Sequence, residues 1–134
     1  MATFPLKIVC PEGIKFEGQV QQLNVRTTTG ELGILARHIN CVAPLGMGRA
    51  TVIVDGVSRH AACMGGMVSV LNGQVTILPT TFEWADEIDA QRAERSHDRA
   101  QSVLSNKDAS KTDVVLAEAR LKRALVRRSV ATQK

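Results

Sequence analysis

The chain has 134 residues, of which 44% are hydrophobic and 22% charged, and its formal net charge is +4. That length supports one core with a smaller appendage and excludes two full domains. Aromatic residues are only 3% and tyrosine is absent, which disfavours the stacking platforms on which bases and single strands are read.

From Leu6 to about Thr81 the sequence reads as short strands punctuated by turns. In chain order they are LKIVC, then Pro11-Glu12-Gly13, IKFEG, QLNVR, ELGIL, CVAPL, TVIV, SRHAACM, MVSVL and QVTIL. Val, Ile, Leu and Thr dominate them, as half-buried pleated surfaces favour. Asp55-Gly56 and Asn72-Gly73 are strong hairpin signals, because both dipeptides accept the left-handed conformations of type I′ turns. Within TTTGELGILAR, residues 27–37, Gly30 and Gly33 flank Glu31; the pair is read as a turn or bulge leading into a strand. GMGRAT, residues 46–51, is read as a turn before a strand, and no G-x-x-x-x-G-K-[ST] phosphate loop occurs. The pattern predicts an antiparallel sandwich or flattened barrel.

At FEWADEID the period changes, and beyond Ile88 there is neither glycine nor proline. Asp86 and Asp89 are candidate caps for a helix from about Asp89 to Leu104, with Ala93, Ala100, Val103 and Leu104 as a narrow apolar stripe. After the polar break SNKDASKTD, Thr112 or Asp113 is expected to cap a second helix reaching Ala131, about 28 Å long. Val114, Ala117, Leu121 and Ala124 give it one apolar face, so a helical hairpin with an alanine-lined seam is predicted. Alanine contributes little area at about 25 cal/mol per Å², so docking is expected to gain only a few kcal/mol. Residues 1–87 hold six Lys/Arg against seven Asp/Glu, and residues 88–134 hold eleven against six. All of the excess positive charge lies in the tail, which points to an acidic partner, a polyphosphate or a membrane surface.

Cys10, Cys41 and Cys63 are odd in number and widely spaced, so buried thiols are expected and not a disulfide framework or metal motif. His38, His60 and His97 lack metal-ligand spacing, and no metal site is expected. The start MATFPLKIVC lacks the features of a signal peptide and there is no run of about 18 apolar residues, so a soluble intracellular protein is expected.

GELGILARH after a long strand, CMGGMVSVLNGQVTIL, ADEIDAQRAE and the closing AEARLKRALVRRSVA stand in order along nearly the whole chain. Together these blocks resemble the epsilon subunit of bacterial ATP synthase. The resemblance implies an N-terminal antiparallel β-sandwich of about ten strands, residues 1–85, contacting the gamma subunit and the c-ring. A C-terminal two-helix regulatory domain, residues 86–134, is expected to follow. It further implies a non-catalytic subunit of the central rotor, peripheral at the cytoplasmic face of the bacterial membrane, with the alpha and beta subunits as further partners. Glu31, Arg37 and His38 would face the c-ring. Many relatives carry Pro-Gly before the histidine, where this chain has Ala36-Arg37.

IDAQRA is similar to the family's nucleotide-associated pattern. By that resemblance Ile88, Asp89, Arg92 and Ala93 would border a regulatory ATP site, with Glu83 alongside and Arg99, Arg123 and Arg127 as further cations. No cofactor is required. Guanidinium groups from two helices are chemically suited to phosphates through forked, charge-assisted bonds. The plainer readings stand beside this one: an Asp at a helix start is ordinarily a cap, and a basic helix face is ordinarily solvated. The resemblance also implies an inhibitory role, in which Arg120, Lys122, Arg123, Arg127 and Arg128 meet carboxylates on the catalytic beta subunits and hinder ATP hydrolysis. A nucleic-acid-binding module would account for the basic tail but not for the near-neutral strand region. An enzyme reading has no nucleophile, base and orienting residue in a known local arrangement.

Overall fold

The computed structural model describes residues 2–132, with ten strands followed by two helices. The strands are β1 Phe4–Cys10, β2 Gly13–Val20, β3 Gln22–Thr27, β4 Gly30–Leu35, β5 Cys41–Pro44, β6 Met47–Val54, β7 Val57–Met64, β8 Met67–Leu71, β9 Gln74–Leu78 and β10 Thr81–Trp84. They form two five-stranded sheets, ordered β2-β1-β9-β8-β5 and β10-β7-β6-β3-β4. Strict alternation aims Phe4, Leu6, Ile8 and Cys10 of β1, Val68 and Val70 of β8, and Val75 and Ile77 of β9 inward. There they meet Leu23, Val25, Ile34 and Val52 in one apolar core. The sandwich is antiparallel except at β1–β9, where Leu6, Lys7 and Ile8 pair in parallel with Val75, Thr76 and Ile77.

Both predicted hairpin turns form as expected. Asp55 and Gly56 have φ of 51° and 77°, and Asn72 and Gly73 have 50° and 81°. Three local readings need correction. TFEW is a tenth strand, paired with β7. Only Gly46 of GMGRAT precedes β6, and Met47 to Thr51 lie within it; a Cβ on Gly48 would come within 2.6 Å of Arg26 Cβ, so glycine is what lets the Arg26 side chain cross this strand. The turn in TTTGELGILAR is Thr28-Thr29, closed by Gly30 at φ 138°, whereas Gly33 sits inside β4 opposite Asn24.

A 3-10 turn, Ala85–Glu87, leads to α1, Ala90–Ser105, and α2, Lys111–Ala131. Asp89 caps α1, its carboxylate accepting from Arg92 N–H at 3.0 Å. Asp86 lies in the 3-10 turn and caps nothing. For α2 the cap is Ser110, whose Oγ accepts from Asp113 N–H at 3.1 Å, so the helix starts one position before Thr112. Ser110 prevails because its extended backbone aims the hydroxyl at the free N–H groups of the first turn.

Ala93 and Ala100 of α1 are buried, as are Ala117 and Ala124 of α2, which is the small-residue seam expected of the hairpin. The end of α2 adds a contact that periodicity did not show. Val130 and Ala131, with Val126 beside them, pack on Ala62, Met64, Ala85 and Ile88 of the sandwich and its exit. The exit is itself well fastened. Trp84 packs edge-on to Phe82 at 5.0 Å, the Arg59 guanidinium lies 3.8 Å over its ring, and the Trp84 backbone N–H donates to Glu87 Oε1 at 3.0 Å.

Candidate functional site

The predicted ATP-site residues fall around two neighbouring cavities. One, of about 650 Å3, lies where α1 and α2 meet β10, and Glu83, Asp89, Arg92, Ala93 and Arg127 are among its lining residues. The other, of about 750 Å3, lies between the two helices near their connection and is lined by Arg99, Arg120, Arg123 and Arg127, with Asp108 and Asp113. Arg127 and Ser96 border both. The structure therefore collects seven of the eight residues expected at an ATP site, but over two adjoining spaces. Ile88 is the exception: it is 4% exposed in the apolar cluster under α2 and lines neither cavity. Its role in this form is to anchor the start of the hairpin.

Each charged member has a specific local state. Arg127 Nε donates to Glu83 Oε1 at 2.6 Å, linking α2 to the edge strand of the sandwich. One Asp89 oxygen is used as the helix cap. Among the described residues Arg92, Arg99, Arg120 and Arg123 are in no ion pair, so four of the five arginines around the cavities lack a direct carboxylate partner. Lys15 and Glu12 also line the first cavity. No sequence signal identified them, because the β1–β2 hairpin reaches the tail only through tertiary packing. Lys15 pairs with Glu87 at 3.3 Å. The Glu87 carboxyl is held below its ordinary value of 4.5, first by the Trp84 N–H and then by Lys15.

The residues expected at the c-ring are not brought together. Glu31 lies in β4 directly opposite Arg26 and pairs with it at 3.4 Å, with both side chains largely exposed. Arg37 and His38 follow Leu35 at the other end of the same strand, roughly 13 Å or more from Glu31 at about 3.3 Å per residue. Arg37 has φ 69°, the left-handed conformation that glycine adopts without cost. His38 Nδ1 lies 2.8 Å from the Ile39 carbonyl oxygen.

On the basic face of α2, Arg120 and Lys122 are exposed and Arg123 is half-buried. Arg127 and Arg128 are both paired, the latter with Glu94 of α1 at 3.2 Å. Glu94, His97 and Asp98 place donor atoms within 4.8 Å of one another on α1, but Glu94 is engaged by Arg128 and His97 by Asp98 at 3.2 Å.

A strand-built base carrying a cationic helical pair, with no nucleophile, base and orienting residue gathered among the described residues, has the architecture of a subunit of a larger assembly. Residues 3–85 match the family described as ATP synthase, Delta/Epsilon chain, beta-sandwich domain, and residues 86–132 match the corresponding long alpha-helix domain. The ATP synthase epsilon chain of Ruminococcus albus is 44% identical over 135 residues, with 100% of each chain covered. That of Bacillus pumilus is 41% identical with 98% of each covered. A chain in the Euglena gracilis mitochondrial ATP synthase shares the fold, with a TM-score of 0.85 at 22% identity, over 100% of this chain and 83% of that one. The chain belongs to the ATP synthase delta/epsilon family, and within it to the epsilon chains, non-catalytic components of the central stalk.

Proposed function

We propose that this chain couples the c-ring to the catalytic head as part of the rotor and restrains ATP hydrolysis through its helices when ATP is low, a restraint that bound ATP relieves. The observation that carries the reading is the convergence of Arg92 and Arg99 from α1 with Arg123 and Arg127 from α2 on two adjoining cavities. Arg127 is held by Glu83, but Arg92, Arg99 and Arg123 are in no ion pair among the described residues, and so gathered they repel one another in the closed hairpin. A polyphosphate between the helices reverses that repulsion and favours the closed form, through forked, charge-assisted bonds. Because ATP then binds the closed form better than an open one, it shifts the equilibrium by that difference alone.

In the absence of ATP, α2 extends and presents Arg120, Lys122, Arg123, Arg127 and Arg128 to carboxylates on the catalytic beta subunits, with the alpha subunits as further partners in the head. The sandwich, residues 1–85, contacts gamma and the c-ring. In support, the outer face of its first sheet exposes Val42, Met67, Leu71 and Leu78, and Met67 pairs directly with Leu78 across the ladder. An apolar patch of this kind on a sheet face marks a protein interface. Glu31, Arg37 and His38, at the two ends of β4, are the polar contacts assigned to the c-ring. No helix among the described residues is long and apolar enough to cross a membrane, and association with the cytoplasmic face of the bacterial membrane is through the complex.

The test is ATP affinity of the isolated chain by calorimetry, wild type against Arg92→Ala. Loss of one charge-assisted contact is expected to weaken binding about tenfold or more. Equal affinities remove the nucleotide site. Deletion of residues 88–134 is expected to raise hydrolysis by the assembled complex at low ATP, and an unchanged rate removes the inhibitory role.

A further inference from the structure

The last two cations of the basic face are neighbours in sequence but face different bodies. Arg127 reaches Glu83 on β10 at 2.6 Å, while Arg128 Nη1 reaches the Glu94 carboxylate on α1 at 3.2 and 3.4 Å. Successive helical residues diverge by about 100° around the axis, so the two pairs hold α2 from two directions. Between them Val126, Val130 and Ala131 cover Met47, Ala62, Met64, Ala85 and Ile88. The two pairs are also unequal. Arg127 and Glu83 are 28% and 34% exposed, Arg128 and Glu94 are 41% and 48% exposed, so solvent and salt screen the second more than the first. Lys15 and Arg92 share the cavity wall with Glu83, but Lys15 is taken by Glu87.

We infer that Glu83 and Glu94 form a two-point carboxylate latch that occupies Arg127 and Arg128 in the compact hairpin, so that an acidic partner engages these two arginines only by exchange. This rests on the reading above for the existence of an external acidic partner. Exchange of one carboxylate for another leaves the charge balance of each guanidinium nearly unchanged. The barrier to opening is then set chiefly by the apolar cluster beneath Val130, and the latch decides which form wins. Arg120 and Lys122, exposed and in no ion pair among the described residues, are free to make the first contact with the acidic partner, and Arg127 and Arg128 fasten it after the latch lets go. The latch is an internal copy of the surface it competes with.

Hydrogen exchange on the isolated full chain without nucleotide tests this directly. Amides of residues 126–131 are followed in wild type, Glu83→Gln, Glu94→Gln, the double variant, and the control Glu17→Gln, whose partner Lys7 lies on the far sheet. Each single variant is expected to speed exchange there by about threefold, Glu83→Gln more than Glu94→Gln, and the double by about tenfold, with β8 and β9 unchanged. Reversing the outer pair, Glu94→Lys with Arg128→Glu, is expected to restore protection lost in Glu94→Lys alone. Wild-type exchange in the double variant overturns the latch, as does a reversed pair no better protected than Glu94→Lys. A double variant that loosens α2 but leaves hydrolysis by the assembled complex unchanged supports the latch and removes the inhibitory reading.

Discussion

Arg37→Gly is expected to stabilise the sandwich. Arg37 lies in the turn closed by the His38 N–H to Leu35 carbonyl bond of 3.2 Å, and its φ of 69° places Cβ against its own carbonyl. That conformation costs a residue that carries a Cβ roughly 1–2 kcal/mol. Glycine is free of the clash but loses more freedom on folding, an offset of roughly 0.5–1 kcal/mol. The net gain is about 0.5–1 kcal/mol, or a rise of about 2–4 °C in Tm for a domain of this size. Asp55 and Asn72 share the left-handed region, but both are residue types that tolerate it, so the same gain is not expected there. Urea and thermal unfolding can be followed through Trp84, the one tryptophan, which sits in the core against Phe82. Arg37→Ala is the control, because it removes the charge and keeps Cβ. If the alanine variant gains as much as the glycine variant, charge and not backbone conformation sets the stability of this turn.

Two further outcomes follow from the titrating groups. Glu87 has a folded value below its unfolded one, so its ionised form stabilises the fold above about pH 4.5, and that contribution is lost as the pH falls through the lowered folded value. Glu87→Gln is therefore expected to be less stable than wild type at pH 7, with the gap closing in acid; a constant gap from pH 7 to pH 3 contradicts the assignment. Burial pushes the Cys63 thiol up to about 12 and raises Cys10 as well. With an alkylating reagent at pH 8, native protein is expected to be modified at Cys41 alone, and mass spectrometry showing Cys63 labelled at a similar rate would mean that the sheets part far more often than their packing implies.

The strands and their hairpins were legible because their causes are local. Asp55-Gly56 and Asn72-Gly73 impose their turns whatever surrounds them, and β8 and β9 alternate without interruption. TFEW was hidden because its four residues run directly into an acidic stretch, and its strand character appears only beside β7. Glu31 looked like a turn residue since two glycines flank it, but register with Arg26 decides its place. The helical seam was readable from alanine spacing. The seat of Val130 and Ala131 was not, because the surface that receives them is assembled from β7 and the 3-10 turn. Likewise the arginines were visible as a basic tail, while the carboxylates that claim two of them lie 44 and 34 residues away.

The parallel seam between β1 and β9 has a bearing on how the chain is made. β1 and β2 leave the ribosome early as a local hairpin, yet one border of β1 stays open until residues 75–77 have been synthesised. An unfilled strand border invites pairing with other chains, and contacts so distant in sequence form slowly. The nascent protein is thus most exposed to misassembly while its middle is being translated. The helical pair comes last, needs only its own neighbours to form, and finds the surface that receives it already built.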